Sequence, residues 1–239
     1  MKRFTLKKKI WSILFCLLGI LVVSFFIYTE QYYHADPAAL RALESDETVA
    51  VTKTGYGWLF DGPSQSDALI FYPGAKVETQ AYAPLLHRLA QEGMDVCLVD
   101  MPFRLAFFGL NKATDLLSAY DYPHWYIGGH SLGGAMAASY AADHGTQLTG
   151  VVLLAAYPTK KLDPGLAVTT VYGSEDHVLN MASLKKGAAF LPENAAMHVI
   201  EGGNHAQFGN YGEQSGDGKA SISAEEQQRQ TAELIMQGR

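Results

Sequence analysis

The chain has 239 residues, of which 48% are hydrophobic, so it is long enough to bury the core of one sizeable domain. Its formal net charge is -6 at pH 7, but the first 30 residues hold five Lys or Arg and one acidic residue, which leaves 13 basic and 23 acidic residues for the remainder. That acidic excess argues against binding to nucleic acid, a polyanion that needs a basic surface.

The N-terminal segment predicts a single membrane anchor. Residues 10–28 carry no charge over 19 positions, which at about 1.5 Å per residue spans a hydrocarbon core of about 30 Å. Five basic residues precede this run, so residues 1–30 predict a basic cytoplasmic segment followed by a transmembrane helix, with the remainder outside the cytoplasm. The alternative is a secreted protein with a cleaved signal peptide, but the apolar run exceeds the usual length of roughly 7 to 15 residues.

The rest of the chain predicts a linker and one α/β domain. Residues 31–48 are polar and predict a linker with one short helix, and residues 49–239 alternate strand-like and helical segments. Strands are predicted at 54–60, 68–74, 95–100, 124–129, 149–157, 166–173 and 196–203, and helices at 79–93, 111–120, 132–144, 181–191 and 223–237. Such alternation favours a doubly wound, mostly parallel sheet flanked by helices. Thr79 is the predicted N-cap of the first of these helices, and Gly93 its end.

The sequence GHSLG, residues 129–133, matches the pattern G-x-S-x-G at a predicted junction of strand and helix. On its own the match fits a glycine-rich turn equally well, because glycine and serine are common in turns. Between a strand and a helix, however, the pattern lifts the hydroxyl of Ser131 to the C-terminal edge of the sheet, where a nucleophile is exposed.

The loops after two later strands supply partners for Ser131. Ligands of doubly wound sheets bind at the C-terminal ends of the strands. SEDHV follows the strand at 166–173 and contains Asp176, and NHAQFG follows the strand at 196–203 and contains His205. The order Ser, Asp, His along the chain is typical of α/β-hydrolases.

Five segments are similar to sequences of the alpha/beta hydrolase superfamily: YPGAKV, MPFRLAFFG, GGHSLGG, YGSEDHV and GGNHAQFGNYG. The resemblance covers about residues 50–239 and is strongest to the small bacterial group called alpha/beta hydrolase fold five. It implies a serine hydrolase whose catalytic triad consists of Ser131, His205 and Asp176. The motif match favours Asp176 over the neighbouring Glu175 as the acid.

The oxyanion hole is expected to consist of two backbone N–H groups. One belongs to Leu132, which follows the nucleophile, and the other to Ala75 in the loop after residues 68–74, with Lys76 as the alternative. In this loop the chain carries Pro73-Gly74 where many relatives carry His-Gly.

The substrate pocket is expected to be small and without a cap. About ten residues connect the strands at 149–157 and 166–173, where many superfamily members insert a lid, and a parallel crossover uses nearly all of that length. The pocket walls are then expected from residues 101–110, with Phe103, Phe107 and Phe108 as candidates; ordinary core packing is the alternative for each.

These features predict a carboxylesterase-like serine hydrolase that cleaves small or short-chain esters or thioesters through an acyl-enzyme, at a membrane. The alternatives are an amidase or acyltransferase with the same triad, and a non-catalytic membrane-anchored binding protein, although no triad residue is missing. No cofactor or metal is expected, because P-loop and dinucleotide motifs are absent and neither Cys16 nor Cys97 lies in a metal-binding pattern.

Overall fold

The computed structural model describes residues 6–63 and 65–239, and it divides the chain into two units, Met1–Tyr32 and Tyr33–Arg239. In the first unit, helix α1 comprises Leu6–Glu30. Its segment Lys8–Glu30 is long and apolar enough to cross a membrane, a property that signal sequences share. The start of the predicted cytoplasmic segment, residues 1–5, lies outside the described residues.

The second unit contains a mostly parallel sheet. Eight strands are described: β1 Ala50–Lys53, β2 Gly57–Asp61, β3 Asp67–Tyr72, β4 Asp95–Val99, β5 His124–His130, β6 Gly150–Leu154, β7 Ala167–Gly173 and β8 Ala196–Ile200. Their order is β1-β2-β4-β3-β5-β6-β7-β8. Strand β2 pairs antiparallel with β1 and β4, and every pair from β4 to β8 is parallel.

Helices cover both faces of this sheet. The described helices of the domain are α2 Pro37–Arg41, α3 Ala83–Gln91, α4 Lys112–Ala119, α5 Leu132–His144, α6 Met181–Gly187 and α7 Ala224–Gln237. One core layer joins α3 and α7 to the side of β3 that carries Leu69 and Phe71, and the other joins α4 and α5 to the side that carries Ile70 and Tyr72. The alternation along β3 follows from the two-residue period of a strand. The predicted doubly wound α/β fold is confirmed.

The start of α3 differs from the prediction. Leu85, Leu86 and Leu89 are buried on one face as the helical spacing predicts, but Thr79 is not the N-cap. A short 3-10 helix at Thr79–Tyr82 precedes α3. Pro84 accounts for the difference, because proline is accommodated only in the first turn of an α-helix and therefore sets its beginning at Ala83.

The polar segment after α1 packs onto the domain. Its short helix α2 has Asp36 as N-cap, whose carboxylate accepts a hydrogen bond from the Ala39 N–H at 2.9 Å. Upstream, the Tyr33 N–H donates to the Lys76 carbonyl at 2.8 Å, and the Glu78 N–H donates to the Tyr33 carbonyl at 2.9 Å. The chain is thus tied to the domain from Tyr33 onward.

The connection between β6 and β7 leaves the C-terminal edge of the sheet open. Residues 155–166 link the parallel strands without a helix, and they are held to the domain by short contacts such as the bond from the Leu162 N–H to the Phe190 carbonyl at 2.9 Å. Among the described residues this connection holds no inserted subdomain, so the predicted absence of a cap is confirmed.

Helix α5 approaches the sheet so closely that we expect position 133 to accept only glycine. A Cβ atom on Gly133 would lie 2.1 Å from the Tyr72 carbonyl oxygen and 2.3 Å from that of Pro73. We expect Gly133→Ala to lower the free energy of unfolding by about 1–3 kcal/mol, because backbone atoms must shift. Thermal unfolding of the full-length protein in detergent measures this. Gly55→Ala is the control, since a Cβ there meets nothing within 4 Å. Equal melting temperatures for the two variants would contradict the prediction.

Candidate active site

Ser131 lies at a sharp turn between β5 and α5. It is the N-cap of α5 and has φ 52° and ψ -121°, a conformation that residues other than glycine rarely adopt. Its own N–H donates to the Leu154 carbonyl at 2.9 Å, which fixes the turn to β6. Glycine at 129 is required here, because a Cβ would lie 2.3 Å from the Tyr72 carbonyl oxygen. This is the strained strand-turn-helix geometry that the G-x-S-x-G pattern predicts.

Asp176 and His205 form a buried hydrogen-bonded pair. Asp176 follows β7 and His205 follows β8. The His205 Nδ1 lies 2.9 Å from the Asp176 Oδ2. The side chain of His205 is 2% exposed and that of Asp176 is 0% exposed. Because the carboxylate accepts, the imidazole carries a proton on Nδ1 and its Nε2 is available as a base. The structure thus brings together two residues 29 positions apart that the sequence selected separately.

The Asp176 carboxylate is held by its own loop. Its Oδ1 accepts from the Val178 N–H at 2.9 Å and from the Leu179 N–H at 2.7 Å, which leaves Oδ2 for His205. The alternative acid, Glu175, instead accepts a hydrogen bond from the Ser174 hydroxyl at 3.1 Å. Asp176 is therefore the acid that contacts the histidine.

Helix α7 braces the loop that carries His205. The buried Gln227 side chain accepts from the Asn204 N–H at 2.9 Å and donates to the Asn204 carbonyl at 2.8 Å. The Asn204 side chain in turn donates to the Gly218 carbonyl at 2.8 Å. Because both backbone polar groups of Asn204 are hydrogen-bonded, the neighbouring His205 has little freedom to move.

Asp217 is a further supporting residue that the sequence analysis missed. Its carboxylate accepts from the Ala206 N–H at 2.9 Å and from the His177 N–H at 3.2 Å, and so joins the histidine loop to the acid loop. The exposed His177 contributes only its backbone to this contact. Asp217 lies in a glycine-rich polar loop without periodicity, so its sequence context carries no signal for this role.

His130 packs against the imidazole of His205, with ring centroids 4.5 Å apart. The Tyr82 hydroxyl accepts from the Gly74 N–H at 3.0 Å and lies 2.9 Å from the His130 Nδ1. Burial raises the pKa of the Tyr82 hydroxyl, so it keeps its proton. Burial first, and then the nearby His205, hold the pKa of His130 well below its ordinary value of 6.5. His130 is therefore a neutral side chain that packs against His205.

Backbone hydrogen bonds distinguish the candidates for the oxyanion hole. Leu132 is the first residue of α5, so its N–H has no acceptor within the helix. In the loop after β3, the Gly74 N–H is used by Tyr82 and the Lys76 N–H donates to the Arg104 carbonyl at 3.0 Å. Among the described residues, the N–H of Ala75 makes no such bond. The geometry thus favours Ala75 over Lys76.

A small cavity of about 250 Å³ lies between these loops, with Ser131 and His205 both in its wall. The other lining residues are mostly small or apolar: Leu132, Ala135, Ala155, Ala156, Tyr157, Val178, Leu179 and Asn180. Ligand pockets for drug-sized molecules usually range from about 300 to 1,000 Å³, so this one suits a smaller group.

The three predicted pocket phenylalanines lie elsewhere. None of Phe103, Phe107 and Phe108 is among the residues that line the cavity at Ser131, and all are exposed, by 42%, 49% and 47%. They contact one another, with ring centroids 4.1 Å apart for Phe107 and Phe108 and 5.4 Å apart for Phe103 and Phe108. The reason is that residues 101–110 fold into two tight turns whose buried side chains are Met101, Leu105 and Ala106. They are therefore not part of the core, and their role in binding substrate stays a prediction.

The two cysteines are separate, Cys16 exposed on α1 and Cys97 buried in β4. Burial raises the pKa of the Cys97 thiol to about 12, so it remains protonated and unreactive. Within residues 6–63 and 65–239, no group of three or more His, Cys, Asp or Glu side chains is arranged to hold a metal ion.

Solved structures with this fold include several hydrolases. A predicted CIB-like hydrolase from Thermoplasma acidophilum is similar with a TM-score of 0.58 and 17% identity, over 79% of this chain and 99% of that one. Est1E from Butyrivibrio proteoclasticus has a TM-score of 0.55 and 13% identity, over 80% and 99%. Dienelactone hydrolase from Anabaena variabilis has a TM-score of 0.56 and 16% identity, over 82% and 99%. At these identities the likeness shows the α/β-hydrolase fold alone.

The family follows from the sequence itself. The family model of the Alpha/beta hydrolase family matches residues 68–229, which include Ser131, Asp176 and His205. The chain therefore belongs to the alpha/beta hydrolase family. No curated protein sequence shows significant similarity to the chain.

The lowered pKa of His130 predicts a pH-dependent stability. Below about pH 6.5 the unfolded chain takes up a proton at His130 that the folded protein does not, so the free energy of unfolding falls by up to about 1.4 kcal/mol per pH unit. His130→Gln should remove this contribution, and its melting temperature should decline less between pH 7.5 and 5.5 than that of the wild type.

The matched control is His198→Gln, because His198 is a half-buried histidine on β8. It should retain the pH dependence of the wild type. A His130→Gln variant with the wild-type pH dependence would show that folding does not lower the pKa of His130.

Proposed function

We propose that the chain is a serine hydrolase that cleaves small or short-chain esters or thioesters. The observation that carries the proposal is that His205, which is hydrogen-bonded to Asp176, lines the same cavity as Ser131, and that Ser131 lies in a strained turn. The fold neighbours support hydrolysis in general: one structure of Est1E contains bound ferulic acid, and another neighbour is a dienelactone hydrolase.

In this proposal Ser131 is the nucleophile and His205 the general base. The His205 Nε2 takes the proton of the Ser131 hydroxyl as its oxygen attacks the carbonyl carbon, and Asp176 stabilises the resulting imidazolium. The N–H groups of Leu132 and Ala75 stabilise the negative oxygen, a contribution of about 10²–10³ in rate for one donor. The proton then passes from His205 to the leaving alcohol or thiol, and water releases the acyl group by the same steps.

The cavity dimensions favour a short acyl group. Small side chains such as Ala135, Ala155 and Ala156 leave room for a few carbon atoms, and the capless fold provides no further wall above them. An amidase or an acyltransferase would form the same acyl-enzyme. Activity on an amide substrate tests for the first, and analysis of the products for transfer of the acyl group to an alcohol tests for the second.

The proposed location is a membrane, with α1 as a single-pass anchor and the domain outside the cytoplasm. The support is the length and apolarity of Lys8–Glu30 and the basic residues before it. A secreted protein, with the segment removed as a signal sequence, is the competing location.

Covalent labelling tests the nucleophile. The wild type should react with a fluorophosphonate probe and hydrolyse p-nitrophenyl acetate, whereas Ser131→Ala should lose the label and reduce kcat by about 10⁴–10⁶-fold. His205→Ala should be nearly as severe, because the residues of a triad act as a unit. Gel fluorescence and initial rates measure the two effects.

Ser118→Ala is the control for this experiment, since Ser118 is an exposed serine on α4, remote from the turn at Ser131. It should label and react like the wild type. Labelling that persists in Ser131→Ala would reject the assignment of the nucleophile. A wild type that folds but neither labels nor hydrolyses any ester would favour the non-catalytic binding protein.

A series of p-nitrophenyl esters from acetate to palmitate tests the pocket size. Each added CH₂ should raise kcat/KM by up to about fourfold while the wall still covers it, corresponding to about 0.8 kcal/mol, and kcat/KM should fall beyond short chains. Ala135→Leu should move the optimum to a shorter ester, because Ala135 lines the cavity. A continued rise through the long chains in the wild type would refute the small-pocket proposal.

A further inference from the structure

A short stretch of chain connects α1 to the domain. Only two residues separate Glu30, the last residue of α1, from Tyr33, and three fully extended residues span about 10 Å. Tyr33 is fixed by two backbone hydrogen bonds, to the Lys76 carbonyl and from the Glu78 N–H. The connection between α1 and the first fixed residue of the domain is therefore short.

Lys76 also connects this point to the site and to the exposed phenylalanines. It follows Ala75, the proposed oxyanion donor, and its N–H donates to the Arg104 carbonyl at 3.0 Å. Arg104 directly follows Phe103. Lys76 thus connects three parts of the domain. These are Tyr33, where the chain enters the domain, the loop proposed to hold the oxyanion, and the loop that carries the aromatic side chains.

We define the aromatic patch as Phe103, Phe107 and Phe108. All three side chains are between 42% and 49% exposed although they contact one another, so together they form a small exposed apolar patch. Aromatic side chains favour the interface between lipid and water, where apolar rings are covered by headgroups and upper acyl chains.

The loop that carries the aromatic patch has no net charge. Residues 101–114 contain Arg104 and Lys112, and Asp100 and Asp115 lie directly on either side. The chain beyond residue 30, in contrast, has 23 acidic and 13 basic residues, so this loop is less repelled by a lipid surface than an average segment of the domain.

We propose that the aromatic patch rests on the lipid bilayer that holds α1, so that the candidate active site receives esters carried at the membrane surface. The proposal rests on the proposed anchor and specifies the substrate class of the proposed hydrolase as membrane-associated esters. The short acyl group enters the cavity, while the remainder of the substrate stays at the lipid surface.

The test uses the full-length protein in vesicles of phosphatidylcholine and phosphatidylglycerol, with Cys16→Ala so that a single introduced cysteine is labelled. An environment-sensitive fluorophore is attached at Asn111→Cys, an exposed position beside the aromatic patch, and in a second protein at Asn194→Cys, exposed just before β8 at the opposite edge of the sheet. Lipids with a nitroxide near the headgroup serve as quenchers. Quenching should be several-fold greater at position 111 than at 194.

Serine substitutions separate contact by the aromatic patch from proximity due to the anchor alone. Phe103→Ser, Phe107→Ser and Phe108→Ser together should remove most of the excess quenching at position 111, and circular dichroism verifies that the variant is folded. If the triple variant does not fold, Phe107→Ser alone should give a smaller loss in the same direction. Unchanged excess quenching in a folded serine variant would overturn the proposal.

Two further results would overturn it. One is equal quenching at positions 111 and 194, and the other is recovery of the protein from cells with α1 removed. Quenching does not need turnover, so the same measurement on Ser131→Ala protein should give the wild-type result. A failure of the proposed hydrolase activity therefore leaves this readout unaffected, and a failure of membrane contact leaves fluorophosphonate labelling unaffected.

Discussion

The loops after β7 and β8 and helix α7 are arranged around the buried hydrogen bond between His205 and Asp176. Both side chains are buried, and a buried polar pair is stable only when its remaining donors and acceptors are satisfied. Two backbone N–H groups bind the carboxylate, and Gln227 fixes the residue before the histidine from both sides. Helix α7, which is far from the cavity in sequence, is thus needed to position the histidine, and its inward face carries a fully buried glutamine where a leucine would be ordinary.

The parallel sheet brings the three loops of the site to one edge. Strands β5, β7 and β8 lie on the same half of the sheet with β6 between the first two, so the loops after them converge although they are separated by tens of residues. Ser131 is exposed to that edge because its turn has a positive φ, and a turn so sharp requires glycine where α5 passes over the Tyr72 carbonyl. The strain at one residue and the close packing of its neighbours are therefore two consequences of the same junction.

The sequence predicts the fold and the principal site residues because both depend on strong local signals. Alternating apolar runs predict β3 to β8, and the order of polar loops after them predicts Ser131, Asp176 and His205. The short β1 is missed, because its residues are largely exposed and carry no apolar pattern. The position of the aromatic patch could not be predicted either: positive φ angles at Phe103 and Arg104 turn the rings outward, and nothing in a run of apolar residues indicates such angles. Asp217 acts through backbone contacts between loops, which composition does not reveal.

The absence of a cap and the shortness of the connection to α1 have a common consequence. In a capped enzyme an inserted subdomain covers apolar surface at the C-terminal edge of the sheet. Here the described connection from β6 to β7 contains no such subdomain, and the aromatic patch is exposed. Exposed apolar surface costs about 25 cal/mol per Å² relative to its burial, so under the proposal the aromatic patch gains free energy by contacting the bilayer. In the proposed arrangement the membrane takes the place of the cap: it covers the aromatic patch and confines the substrate. The small cavity then needs to bind only the acyl group, because the lipid surface binds the rest.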